Sequence, residues 1–183
     1  NTGLTYTLAV NCHTATVYGN HFNDFSMEPW HPAVQNNAEI MTGNMIEQLS
    51  FDAYEDDFYD RERPEEGYRE DKPSRQYAVM DGKIVDELSI RGRMLGGCLD
   101  VLLNLVGTYF DKTREFVDSY RQDGILWYLE SFSLDSDSLT RGLWQLKHAG
   151  WFEHAVGFVF GRPCMFQSFT DHNYREAVEV ILS

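Results

Sequence analysis

Glu130 is the side chain whose type and place could do chemistry, because it ends the apolar run Ile125-Leu126-Trp127-Tyr128-Leu129. A short run that is apolar at every position reads as a strand buried on both faces of a sheet. A carboxylate at the mouth of such a strand is aimed out of the core for a catalytic or binding role, and it is also a common way to end a strand. Gly96 and Gly97 form a double-glycine turn, which lets backbone approach a ligand or a crossing strand closely. No phosphate-loop or dinucleotide glycine pattern accompanies them. Trp30 stands between Pro29 and His31 in a long polar loop, where an indole either covers a ligand or pins its own loop.

The histidines argue against a metal site. His13, His21 and His31 lie in one region at spacings that match no His-Glu-x-x-His helix, so no metal ligand is assigned and no cofactor is expected. His172 follows Thr170 and Asp171, where it reads as a helix cap rather than as a general base paired with Glu130. The strand-turn-helix signature Gly-x-Ser-x-Gly of a serine nucleophile is absent.

The elements around these residues read as mixed α/β. Residues 2–10 suit a helix with Leu4, Leu8 and Ala9 inward, and residues 15–19 a buried strand closed by glycine. Residues 20–37 read as loop, and residues 38–51 as an amphipathic helix carrying Ile40, Met41, Met45, Ile46 and Leu49. Residues 77–88 carry a hairpin signal around Asp81-Gly82, residues 89–97 a strand, and residues 98–106 an apolar helix. Residues 109–123 look irregular. The stretch after Glu130 predicts a helix with its N-terminus at residues 135–138, a buried side of Leu139, Leu143, Trp144 and Leu146, and a stop at Gly150. A strand over 155–160 and a helix over 173–182 follow.

Composition bounds the function classes. With 183 residues, 43% hydrophobic and 14% aromatic, the chain has enough apolar side chains for a packed core. A formal charge of -14 argues against nucleic acid and anionic membrane as partners, since both need a basic face. No apolar run is long enough to span a bilayer. Cys12, Cys98 and Cys164 are widely spaced and odd in number, which predicts buried thiols in a reducing, cytoplasmic compartment. Both ends lie in helical patterns rather than polar tails, as expected of a fragment. The charged stretch over residues 52–75 predicts a solvated interdomain linker, dividing the chain into 1–51 and 76–183.

Three segments in order, GRMLGGCLDVLLNLVGTYF, GILWYLES and SLTRGLWQLKHAGWFEHAVGFVFGRP, resemble the LD-carboxypeptidase family of serine peptidases, which includes the microcin C immunity peptidases. The resemblance covers essentially the whole chain. It implies the end of a flavodoxin-like parallel α/β N-terminal domain over 1–51, then a β-rich swivelling β/β/α C-terminal domain over 76–183, both incomplete. Glu130 matches the family's triad glutamate, which orients a histidine and stabilises its imidazolium while serine attacks. The serine, in a Gly-x-Ser-Asp turn, is then expected ahead of Asn1 and the histidine beyond Ser183. Gly96, Gly97 and Cys98 fall where the family binds substrate. Cys98 replaces a family asparagine whose hydrogen bonds a thiol cannot reproduce, and Ser131 replaces a frequent second acid. The expected substrate is a small peptide or peptidyl-nucleotide with its scissile amide next to a free carboxylate, and the expected assembly is a homodimer. The alternative is a degenerate member that only binds such a ligand.

Overall fold

The computed structural model describes residues 1–55, 60 and 62–182. The chain folds into two compact units, one of residues 1–16 with 78–183 and the other of residues 17–77. Packing thus divides the chain differently from the expected limits, because the first helix joins the later residues.

In the larger unit, strands β5 (Arg93–Cys98), β6 (Ile125–Glu130) and β7 (Ala155–Phe160) form a parallel sheet in the order β5-β6-β7. Parallel neighbours need long crossovers. Here these are α3 (Leu99–Leu102) with α4 (Thr113–Ser119), and then α5 (Ser136–His148). On β6 the residues alternate, with Ile125, Trp127 and Leu129 facing the core. Leu139, Leu143 and Leu146 of α5 are fully buried. Trp144, expected inward, is exposed and lies against His148. It stands one residue beyond Leu143, which turns it about 100° around the helix from the leucine stripe.

Helix α1 (Thr2–Cys12) buries Thr2, Tyr6, Ala9 and Val10, while Leu4 and Leu8, expected inward, are exposed. The helix is turned by Tyr6, whose ring stacks on Trp151 at 5.2 Å and whose hydroxyl meets that of Thr113 at 2.9 Å. Trp151 stacks in turn on Trp127, so three aromatic rings run from α1 to the central strand. Residues 109–123 are not wholly irregular: α4 buries Thr113, Phe116 and Val117, an i, i+3, i+4 stripe. The expected helix over 98–106 shortens to α3 and a run of turns. The Asp81-Gly82 hairpin forms, pairing β3 (Ala78–Met80) with β4 (Lys83–Val85), and both turn residues have positive φ. Helix α6 (Tyr174–Leu182) ends the unit and packs on α5.

Residues 15–19, which straddle the boundary between the units, are a mostly exposed run and form no strand. The helix expected over 38–51 lies earlier, as α2 (Pro32–Met41). Proline at its first position and the His31 side chain, which accepts the Ala33 amide, start it there, and Gly43 at φ 89° follows its end. Met45 and Leu49 are left exposed. Within the expected linker, β1 (Ala53–Tyr54) and β2 (Lys72–Pro73) pair antiparallel, and Arg63 bridges Asp60 and Glu66. Residues 56–59 and 61 of that stretch lie outside the described residues.

Candidate active site

Glu130 is the last residue of the central strand, at the C-terminal edge where open parallel sheets place their ligands. Its register partner on β5 is Cys98. On the far side Gly161 follows β7, and a Cβ there would lie 3.1 Å from the Glu130 Cβ, a tight contact that glycine avoids.

The double glycine does its work against protein, not against open space. A Cβ on Gly96 would stand 1.7 Å from the carbonyl oxygen of Tyr128, and one on Gly97 would stand 2.6 Å from Thr2 Cγ2. Gly97 also has φ 140°. Beyond it, the Cys98 amide donates to Thr2 Oγ1 at 3.1 Å. The first turn of α1 therefore sits on the end of β5, next to the strand that carries Glu130.

Cys98 is buried, while Cys12 and Cys164, also expected inside, are exposed. Burial first, and then the charge of Glu130, push the Cys98 thiol up to about 12. It is a neutral donor at physiological pH, and its Sγ donates to Asp100 Oδ2 at 3.7 Å. Asp100 was not a residue that periodicity singled out. Its signal is that it is the one acid in the apolar run Cys98–Val106. Burial raises the Asp100 carboxyl, but the Ser133 hydroxyl and the amides of Phe132 and Ser133 outweigh it and leave the group below the ordinary carboxylate value. Tyr174, at the start of α6, is pushed up to about 12, by burial first.

Trp30 belongs to the smaller unit, where its indole donates to the Phe25 carbonyl at 3.0 Å and packs edge-on against the Phe25 ring. His172 is exposed and lines a shallow groove with Gly82, Glu176, Glu179 and Val180. His13 contacts the Tyr120 hydroxyl, His21 caps a short 3-10 helix, and His31 contacts Glu70, each a separate local pairing. Among the described residues, one group of three metal-capable side chains comes together: Asp118, Glu153 and His154, all exposed. No helix among the described residues is long and apolar enough to cross a membrane.

Comparison with known proteins places this geometry. The microcin C7 self-immunity protein MccF in its wild-type apo state has the same fold at TM-score 0.63 and 14% identity, over 99% of this chain and 52% of that one. MccF in complex with aspartyl sulfamoyl adenosine matches at TM-score 0.62 and 15% identity, over 99% and 52%. A mutant of MccF in complex with adenosine monophosphate matches at TM-score 0.65 and 14% identity, over 100% and 53%. The chain thus spans about half the length of these solved structures. No curated protein sequence matches it. The family profile described as the LD-carboxypeptidase C-terminal domain matches residues 91–183, which hold β5, β6, β7 and Glu130, and the chain belongs to that family.

Proposed function

We propose that this chain is the glutamate-bearing part of a serine carboxypeptidase of the LD-carboxypeptidase type, which hydrolyses an amide next to a free carboxylate. The observation that carries this reading is the hydrogen bond between Thr2 and Cys98, because Cys98 stands opposite Glu130. A Gly-x-Ser-Asp turn leading into α1 would open beside that carboxylate. Serine would attack the carbonyl, a histidine would take its proton, and Glu130 would fix the histidine's tautomer and stabilise the imidazolium. The N-terminus of a helix carries partial positive charge, and that of α1 would favour the developing oxyanion.

The serine and the histidine are assigned outside residues 1–183, so these residues alone should not turn substrate over. The substrate is an LD-linked muropeptide or an aminoacyl-nucleotide conjugate. MccF structures hold aspartyl sulfamoyl adenosine and glutamyl sulfamoyl guanosine, which supports the second class. The reading places the enzyme in the cytoplasm as a homodimer, without metal or cofactor. Cys98 favours a second reading, a member that binds such ligands without cleaving them, since a neutral thiol cannot replace an amide's paired donor and acceptor.

The test is turnover of an LD-linked tetrapeptide and of an aspartyl-adenylate analogue by the full-length protein and its Glu130→Gln variant. The variant should lose roughly 10³–10⁴-fold in kcat with its fold intact. A near-normal rate would remove Glu130 from the triad. Binding of either probe by the wild type without turnover would establish the second reading.

A further inference from the structure

We propose that Asp100 is a positioning residue that clamps the exit of β6 and so fixes the direction of Glu130. This inference rests on the catalytic reading of Glu130. Asp100 lies two residues past β5, in the first turn of α3, yet its carboxylate is spent on the two residues Phe132 and Ser133 just past the end of β6. Oδ2 accepts the Phe132 amide at 2.8 Å, and Oδ1 accepts the Ser133 amide at 2.9 Å and the Ser133 hydroxyl at 2.6 Å. The Cys98 thiol adds a weaker donor to Oδ2.

The opposite side of the same exit is gripped by residues that follow β7. The Gly161 amide donates to Leu129 O at 2.8 Å, Cys164 to Ser131 O at 3.1 Å, and Met165 to Phe132 O at 2.8 Å. Glu130 thus lies near the start of a short segment tied on one flank by a carboxylate and on the other by backbone.

The same bonds explain why Asp100 does not compete with Glu130 for the histidine. A carboxylate has about four acceptor positions. Two donors converge on each oxygen of Asp100, which fills them with partners from the chain itself. The division of labour between the two acids follows: Asp100 is spent on partners from the chain itself, and the role toward the histidine is assigned to Glu130.

The test is a double-mutant cycle on turnover of an LD-linked tetrapeptide by the full-length protein, read together with backbone amide exchange. Asp100→Ala should lower kcat by roughly 10–100-fold through misplacement, with KM changed less than about twofold. In the Glu130→Gln background the same substitution should add less than about twofold, because it acts through Glu130. Asp100→Asn should not rescue, since its NH₂ meets donors at one of the two oxygen positions. Ser133→Ala, which spares the fold, should give a smaller loss of the same kind. Exchange should quicken at Phe132 and Ser133 and stay slow through Leu126–Leu129. Full multiplicative loss in the double variant overturns the proposal, as does unchanged exchange at 132 and 133 or loss of protection along all of β6. If Glu130→Gln itself turns over normally, the catalytic reading fails, while exchange still decides whether Asp100 is the clamp.

Discussion

Thr2 and Cys98 are joined by a buried hydrogen bond that spans 96 residues of sequence, from the first turn of α1 to the last residue of β5. Thr2 Oγ1 is the acceptor and the Cys98 amide the donor. Thr2→Val keeps the shape and removes the acceptor, stranding a buried N–H at a cost of about 1–3 kcal/mol. Thr2→Ser keeps the acceptor and should recover most of that loss. Urea denaturation of the two variants beside the wild type checks the order, and equal stability of Val and Ser would refute it.

Gly96→Ala should be far more damaging than Gly97→Ala. At Gly96 the added Cβ meets a backbone carbonyl at 1.7 Å, which can move only if β5 parts from β6. At Gly97 it meets the methyl of Thr2, which can give way, although φ 140° adds strain of its own. The first substitution belongs to the exceptional class above about 4 kcal/mol, and the second to the ordinary range. Soluble yield and thermal midpoint of the two proteins measure the difference.

Thiol labelling at neutral pH should modify Cys12 and Cys164 and spare Cys98, because only Cys98 is buried. The charge of Glu130 is the second cause of the raised Cys98 pKa. Glu130→Gln should therefore lower that pKa, while burial alone keeps it above the ordinary thiol value. Mass spectrometry after iodoacetamide treatment across a pH series reports both results.

The same thiol makes a prediction for alkaline stability. Its pKa is raised from 9.0 to about 12 in the fold, so the unfolded chain releases its proton first as pH climbs. The stabilising contribution is complete below about pH 9 and is lost progressively toward pH 12. Tyr174, raised from 10.0 to about 12, acts in the same direction over the upper part of that window. Cys98→Ala should flatten the early decline in the denaturation midpoint and leave the later one, and an unchanged profile would contradict this.

Local patterns were legible wherever one residue type dominates the energetics. The β6 run, the Asp81-Gly82 turn and the Asp135 cap of α5 all appear where the sequence puts them. Glu130 was legible as a strand-end carboxylate, and the role proposed for it rests on resemblance. The orientation of α1 was not legible, because Leu4 and Leu8 offer an apolar face as good as the one used. What decides it is Tyr6, whose ring and hydroxyl find partners at Trp151 and Thr113, more than a hundred residues away. Asp100 escaped for the same reason: three of its four donors come from Phe132 and Ser133, just past the end of β6, and no local spacing encodes them. Residues 15–19 and 38–51 misled because apolar content alone does not supply a partner strand or a face to pack on.

The larger unit is discontinuous in sequence, with α1 returning to the later strands across the whole excursion from residue 17 to residue 77. Closing a loop costs entropy that grows only with the logarithm of its length, so each doubling adds only about 0.6 kcal/mol. Lengthening or shortening the excursion is therefore thermodynamically cheap for the unit that holds Glu130. Timing carries the heavier consequence. During synthesis α1 emerges before β5 and the segment carrying Trp151, so it lacks those docking partners until the excursion and the later strands have followed.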